Sequence, residues 1–203
     1  GMANVADSLA AIEKLVFQDK KLTLMEFAEV LRQNYQNTEW LYREVTGNCP
    51  KYGNDGSSPD SYLAELVEMI AKVLDEFTTP RGGRFRLGLY TVEDHAKMGV
   101  RTGALPDGKL KGASLSNGLS PVQGKDVNGP TAVINSLLKI DLSAATNGMV
   151  LDLKFPPAFF DNERHVTALR ALIDTYFRRG GMEIQFNVVD RATLTDAQKH
   201  PEK

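Results

Sequence analysis

Apolar residues recur at helical spacing through the first eighty residues and change to a two-residue alternation beyond them. Val5, Leu9, Ile12 and Val16 fall at i, i+4, i+7 and i+11, which predicts a first helix buried along that stripe. Thr23 followed by Glu26 is a capping-box signal, and Leu24, Phe27 and Leu31 supply the apolar face of a second helix. A shorter helix from Thr38 through Val45 stops at Gly47, after which residues 48–56 carry turn chemistry throughout. Ser58 before Pro59 marks an N-cap and first helical position. Leu63, Leu66, Ile70, Leu74 and Phe77 extend that helix to Thr79-Pro80.

From Arg84 the period becomes two: Phe85, Leu87 and Leu89 alternate with Arg84, Arg86 and Gly88, which predicts a strand. Residues 99–130 are rich in Gly, Pro, Asn, Asp and Ser, and a loop of that length inside a domain is functional or packed against a partner. Pro130 opens a helix to about Lys139 whose buried side holds Val133, Ile134, Leu137 and Leu138. A strand over 149–155, a helix over 162–179 closed by Gly180-Gly181, and a strand over 183–189 form one βαβ unit, predicting parallel strands and a right-handed crossover. Thr193 is expected to cap a short last helix, with Asp196 in its first turn and Pro201 just beyond.

The composition, 42% hydrophobic and 25% charged over 203 residues, is that of a chain with a real core. A net charge of -2 gives no positive field for a polyanion, so no nucleic-acid partner is expected. No apolar run approaches the ~18 residues that span a bilayer, and Gly1-Met2-Ala3-Asn4 lacks the regions of a signal peptide, so a cytoplasmic location with no membrane partner is the expectation. Gly1 ahead of Met2 has the look of a residue left by tag removal.

Candidate chemistry from the residues alone is sparse. Cys49 is the single cysteine and has only Lys51 as a nearby cation, which reads as an inert thiol. His95, His165 and His200 lack i, i+4 partners, so no metal site is expected. Residues Gly103 to Leu110 come within one position of a phosphate-binding loop, but Leu110 stands where a metal-binding hydroxyl is needed and Pro106-Asp107-Gly108 is an efficient turn. Asp60, Glu65, Glu68, Asp75 and Glu76 lie on the polar side of a helix, where solvation accounts for them. Gln185 and Asn187 alternate with Ile184, Phe186 and Val188 in a strand whose setting predicts burial on both faces; they serve as struts or face a polar cavity.

Three blocks together carry a resemblance. They are Cys49-Pro50-Lys51-Tyr52-Gly53-Asn54-Asp55; Leu119-Ser120-Pro121 through Asp126 with Gly129-Pro130-Thr131-Ala132; and residues 181–189 with Asp196 to Glu202. In this order they resemble the glycyl radical enzymes of the pyruvate formate-lyase-like group, nearest the glycerol or diol dehydratase branch. The resemblance implies an α/β chain: a helical N-terminal region over 1–80, then part of a β/α half-barrel over 81–203, cut before the glycine radical domain. It implies a C-terminal part of an anaerobic radical lyase or dehydratase acting on a small hydroxylated substrate. Alternatives are part of a formate C-acetyltransferase, which uses CoA, and a non-catalytic scaffold docking on a separate radical chain. The implied partners are a radical-SAM activase, which installs the glycyl radical of the parent enzyme, and a second copy of the chain, since exposed sheet edges invite self-association. No cofactor is expected on this chain itself.

The family's catalytic cysteine lies in a Gly-Cys-x-Glu setting that Asn48-Cys49-Pro50 does not match, and its Arg-Val-x-Gly-Tyr radical motif does not occur in the 203 residues. No catalytic residue is therefore assigned, and the chain alone is expected to be inactive. Barrel enzymes build their sites at strand C-terminal ends, here Tyr90-Thr91, Phe155-Pro156 and Val189-Asp190. The resemblance points to the first of these as pocket wall. The candidate substrate-pocket wall is Tyr90, Thr91, Phe155, Pro156, Gln185 and Asn187.

Overall fold

The computed structural model describes residues 1–56 and 58–200. Its order is helical first and mixed afterwards: α1 (Met2–Ile12) running into a π-helical turn over Glu13–Gln18, α2 (Leu24–Arg32), α3 (Glu39–Gly47), α4 (Ser58–Asp75), α5 (Asp94–Arg101) and α6 (Gly129–Leu137). Then follow β1 (Leu151–Phe155), α7 (Glu163–Arg178), β2 (Ile184–Val188) and α8 (Arg191–Lys199). None of the helices among the described residues is long and apolar enough to cross a membrane.

The capping box at α2 is present: the Thr23 hydroxyl accepts from the Glu26 N–H at 3.2 Å while the Glu26 carboxylate accepts from the Thr23 N–H at 2.7 Å. Phe27 of that helix is buried with Leu15, Leu41, Val45 and Cys49 in a small N-terminal core, whereas Leu24 stays exposed. The larger core gathers Leu63 and Val67 of α4, Leu137 of α6, Leu151 and Leu153 of β1 and Tyr176 of α7. Each such side chain removed from water contributes roughly 1.5–3 kcal/mol.

α1 is a helix as expected, but its stripe faces the other way. Val5 and Leu9 are 44% and 36% exposed, while Ala3, Ala6, Ala10 and Ala11 are fully buried together with Asn4 and Asp7. α1 packs along α4, and short side chains let two helix backbones come close, so alanines take the interface and the larger residues point outward. The buried polar pair ties α1 to two distant segments. The Asn4 amide donates to Asp107 Oδ2 at 2.6 Å and its oxygen accepts from the Ser116 N–H at 2.7 Å. Asp7 Oδ1 accepts from the Tyr52 N–H at 2.7 Å, and Lys51 Nζ donates to the Asp107 carbonyl at 2.8 Å.

The long loop is thereby packed rather than free, and part of it is helical: α5 begins before residue 99 and seats Gly99 against the backbone of Ala113 and Ser114. Lys109, the lysine of the near phosphate-binding sequence, is buried, and its ammonium donates to the carbonyls of Gly99, Thr102, Gly103 and Leu110 at 3.1–3.3 Å. That ammonium holds the loop together.

Three boundaries differ from the pattern. Residues 85–90 are extended without forming a full ladder: the Leu89 N–H donates to the Gly148 carbonyl at 2.8 Å, and the Leu89 carbonyl accepts from the Val150 N–H at 3.2 Å, a single parallel bridge. Leu87 and Leu89 are buried there, but Phe85 is exposed. α4 already includes Ser58 and ends at Asp75, leaving Phe77 outside it and exposed; the cap position at residue 57 lies outside the described residues. The last helix is capped by Asp190, whose carboxylate accepts from the Thr193 N–H at 2.7 Å, and not by Thr193. Pro201 lies outside the described residues.

Candidate functional site

The site rests on the parallel pair β1–β2, in register Leu151 with Ile184, Asp152 with Gln185, Leu153 with Phe186, Lys154 with Asn187 and Phe155 with Val188. Side chains alternate across a strand, so this register sorts two rows. Leu151, Leu153 and Phe155 enter the core, with Ile184 and α7's Leu169 and Leu172 packed against it. Asp152, Lys154, Gln185 and Asn187 share the opposite face.

That face forms the floor of a cleft of about 590 Å³ whose rim includes Tyr90, His95, Asn117 and Asn147. The Asn147 amide donates to the Tyr90 hydroxyl at 3.1 Å. Lys154 Nζ is held by the Gln123 side-chain carbonyl at 2.8 Å. Asp152 is fixed from two sides: its N–H donates to Ser120 Oγ at 2.9 Å, and its Oδ2 accepts from the Asn117 amide. Its Oδ1 is buried with no hydrogen-bond partner among the described residues.

Behind Asn117 stands a chain of polar groups whose proton positions follow from counting. Asn117 Nδ2 donates to Asp152 Oδ2, and its side-chain oxygen, which can only accept, takes the Thr91 hydroxyl proton. A hydroxyl has one proton; the 3.2 Å contact between Thr91 Oγ1 and His95 Nδ1 is then a donation from His95, placing the imidazole proton on Nδ1. The order runs His95 to Thr91 to Asn117 to Asp152.

Of the six residues expected from the sequence, the structure brings Tyr90, Gln185 and Asn187 into the cleft lining, and Thr91 reaches it through Asn117. Phe155 turns to the core, against Phe159 at 4.5 Å and Phe186 at 6.2 Å between ring centres, and Pro156 precedes the short 3-10 turn over Pro157–Asp161. Neither lines the cleft. The expected burial of β2 on both faces does not hold: Gln185 is exposed and Asn187 half-buried, because β2 is an edge strand of a two-stranded sheet. Asp152, Lys154 and Asn117 are site residues that pattern reading did not single out. The signal for the first two was their position between Leu151, Leu153 and Phe155 in a strand.

Cys49 is elsewhere, buried beside Leu41 and Val45, and burial pushes its thiol pKa up. It does not line the cleft. His165 stacks on Phe159 at 5.0 Å.

Comparison with known proteins gives a consistent result along the whole chain. The family model described as pyruvate formate lyase-like matches residues 1–99, and the model described as glycine radical matches residues 115–203. Among curated relatives, (2S)-3-sulfopropanediol dehydratase of Klebsiella oxytoca is 37% identical over 100% of this chain and 25% of its own length. Trans-4-hydroxy-L-proline dehydratase of Clostridioides difficile is 35% identical over 100% of this chain and 26% of its own. Among solved structures, the glycerol-bound B12-independent glycerol dehydratase from Clostridium butyricum superposes with a TM-score of 0.91 at 39% identity, covering 100% of this chain and 26% of that one. The chain spans about a quarter of the length of the curated relatives it matches.

Proposed function

The chain belongs to the glycyl radical enzymes of the pyruvate formate lyase-like group, and we propose that it supplies one polar wall of the chamber in which a radical lyase or dehydratase holds a small hydroxylated substrate. The observation that carries this reading is the sorted register of β1 and β2. An apolar row locks into the core, while Asp152, Lys154, Gln185 and Asn187 face an open cleft beside Tyr90. A cleft with a few convergent polar groups on a rigid element is the form that small-molecule sites take.

In this reading the chain's own residues bind and orient. The Tyr90 hydroxyl and the amides of Asn147, Gln185 and Asn187 offer donors and acceptors to substrate hydroxyls, and the Thr91–Asn117 pair keeps Asp152 in place. Hydrogen-atom abstraction lies with other residues: the Arg-Val-x-Gly-Tyr motif is not among the 203 residues, and Cys49 is buried away from the cleft. A radical-SAM activase acting on a glycine of a longer parent completes the scheme, and proximity of the reacting atoms to this wall supplies much of the rate.

Titration of the ¹⁵N-labelled chain with propane-1,2-diol, followed by NMR, tests the reading. Shifts concentrated on Tyr90, Asn117, Asn147, Gln185 and Asn187 are expected. Shifts scattered over the surface, or none in the cleft, overturn it.

A further inference from the structure

The segment that leads from Tyr90 into α5 is wound tightly. The Asp94 N–H donates to the Thr91 carbonyl at 2.7 Å, and Val92 inside that turn is held at φ +49°. The left-handed region is costly for a β-branched side chain, and strain of this kind persists only where the surrounding structure enforces it, with a bias toward functional sites. The turn sets Thr91 Oγ1 and His95 Nδ1 3.2 Å apart, and Val92 and His95 both line the cleft. The far end of the polar chain fixes its direction. A carboxylate oxygen of Asp152 accepts, so the Asn117 amide nitrogen must face it; the Asn117 oxygen then takes the Thr91 proton, and Thr91 can only accept from His95. A neutral imidazole with its proton on Nδ1 carries a bare lone pair on Nε2. Nε2 makes no hydrogen bond among the described residues and is not enclosed, so it is open to the cleft that His95 lines.

We propose that His95 is a binding residue of the cleft, locked as the Nδ1–H tautomer by the chain from Asp152 through Asn117 to Thr91, and that its Nε2 accepts a hydrogen bond from an O–H or N–H group of the substrate. The inference rests on the reading of this cleft as a substrate wall. An unconstrained neutral histidine favours the proton on Nε2, which would make the ring a donor here. The hydrogen bond at the other ring nitrogen reverses that preference, and the partners that make it act on the substrate only through the ring. Fixing the tautomer before the substrate arrives spares the bound state a rearrangement. Tyr90 completes the pair: its hydroxyl accepts from the Asn147 amide at 3.1 Å, which leaves its own proton unspent at the same rim. The rim thus offers one donor and one acceptor in fixed roles. A substrate group that lacks a proton leaves the Nε2 lone pair desolvated and unanswered, which weakens its binding.

Labelling the histidines of the 203-residue chain with ¹⁵N and recording the ring nitrogens by NMR at about pH 8, above the ordinary imidazole range, tests the proposal. His95→Gln assigns the His95 signals by their loss. The unaltered chain should show a pyrrole-type Nδ1 and a pyridine-type Nε2 at His95. The reverse pattern overturns the proposal and leaves the cleft as a substrate wall. Thr91→Val removes the acceptor for the Nδ1 proton and should shift the ring toward the Nε2–H form, whereas Thr91→Ser keeps a hydroxyl and should preserve the original pattern. An unchanged pattern in Thr91→Val overturns the locking role of the chain, and the signals of the unaltered chain decide the tautomer even if the valine variant fails to fold. Propane-1,2-diol should then move the Nε2 signal, while 1,2-dimethoxypropane, which keeps both oxygens and has no O–H, should not. Equal movement by both, or diol shifts at Gln185 and Asn187 with Nε2 unmoved, overturns acceptance by His95. Absence of diol shifts anywhere in the cleft removes the substrate-wall reading itself.

Discussion

Gly118→Ala is expected to destabilise the chain by about 2–5 kcal/mol and to dismantle the cleft as it does so. Gly118 has φ +50°, in the left-handed region, and an added Cβ would lie 2.7 Å from the Val150 carbonyl oxygen and 2.9 Å from that of Leu89. Both neighbours are backbone. They belong to the one parallel bridge that ties residues 85–90 to the start of β1, so relief requires moving a strand. Asn117, which holds Asp152, and Leu119, whose N–H donates to the Val150 carbonyl at 3.1 Å, flank the same glycine. Gly124→Ala is the control, since it shares a positive φ of +72° but nothing lies within 4 Å of the added atom; it should cost about 1 kcal/mol. Denaturant unfolding of the two variants decides: losses that agree within about 0.5 kcal/mol would remove the steric role of Gly118.

The second large effect is a pH dependence set by Asp7. Its carboxyl is fully buried on α1, and desolvation pushes its pKa up to about 7, opposed by the Lys51 ammonium and the Tyr52 N–H and reinforced by Asp107 and Asp60. A carboxyl whose folded pKa exceeds its unfolded value binds a proton preferentially in the folded state. Its contribution is complete below the unfolded value near pH 4 and is lost as pH rises through about 7. At roughly 1.4 kcal/mol per pH unit, stability should fall by a few kcal/mol across that window from this group. Exposed carboxylates at Asp19, Glu26 and Glu44, held below their usual range by ion pairs or capping bonds, act with the opposite sign and small weight. Asp7→Asn keeps an acceptor for the Tyr52 N–H and leaves Lys51 its bond to the Asp107 carbonyl, so it isolates the titration. Unfolding free energies measured from pH 5 to 8 should show the variant gaining on the unaltered chain as pH rises. Parallel curves would contradict the assignment.

Much of the second half was legible because period and punctuation agreed. Pro130 opened α6, Gly180 and Gly181 closed α7, and the alternation in 149–155 and 183–189 located β1 and β2 and their parallel pairing. The first helix shows where the method stops. Hydrophobic size marks a face only if size decides which side is buried; α1 packs closely enough on α4 that alanines fill the interface, and Val5 and Leu9 mislead. α5 escaped because its eight residues offer only a short, small-residue face, Ala96, Gly99 and Val100, of which only Gly99 is buried. In the cleft, Tyr90, Gln185 and Asn187 could be named from strand ends and odd polar positions. Asp152 and Lys154 required the register, and Asn117 required a contact across 35 residues of sequence.

Anaerobic reconstitution tests the division of labour between wall and radical centre most directly. The purified chain, a radical-SAM activase, S-adenosylmethionine and propane-1,2-diol would be followed by electron paramagnetic resonance and by aldehyde formation. A chain that supplies only the substrate wall gives no glycyl radical doublet and no aldehyde above the activase-only control. A doublet on this polypeptide accompanied by diol turnover would show that it carries its own radical centre, and would contradict that division.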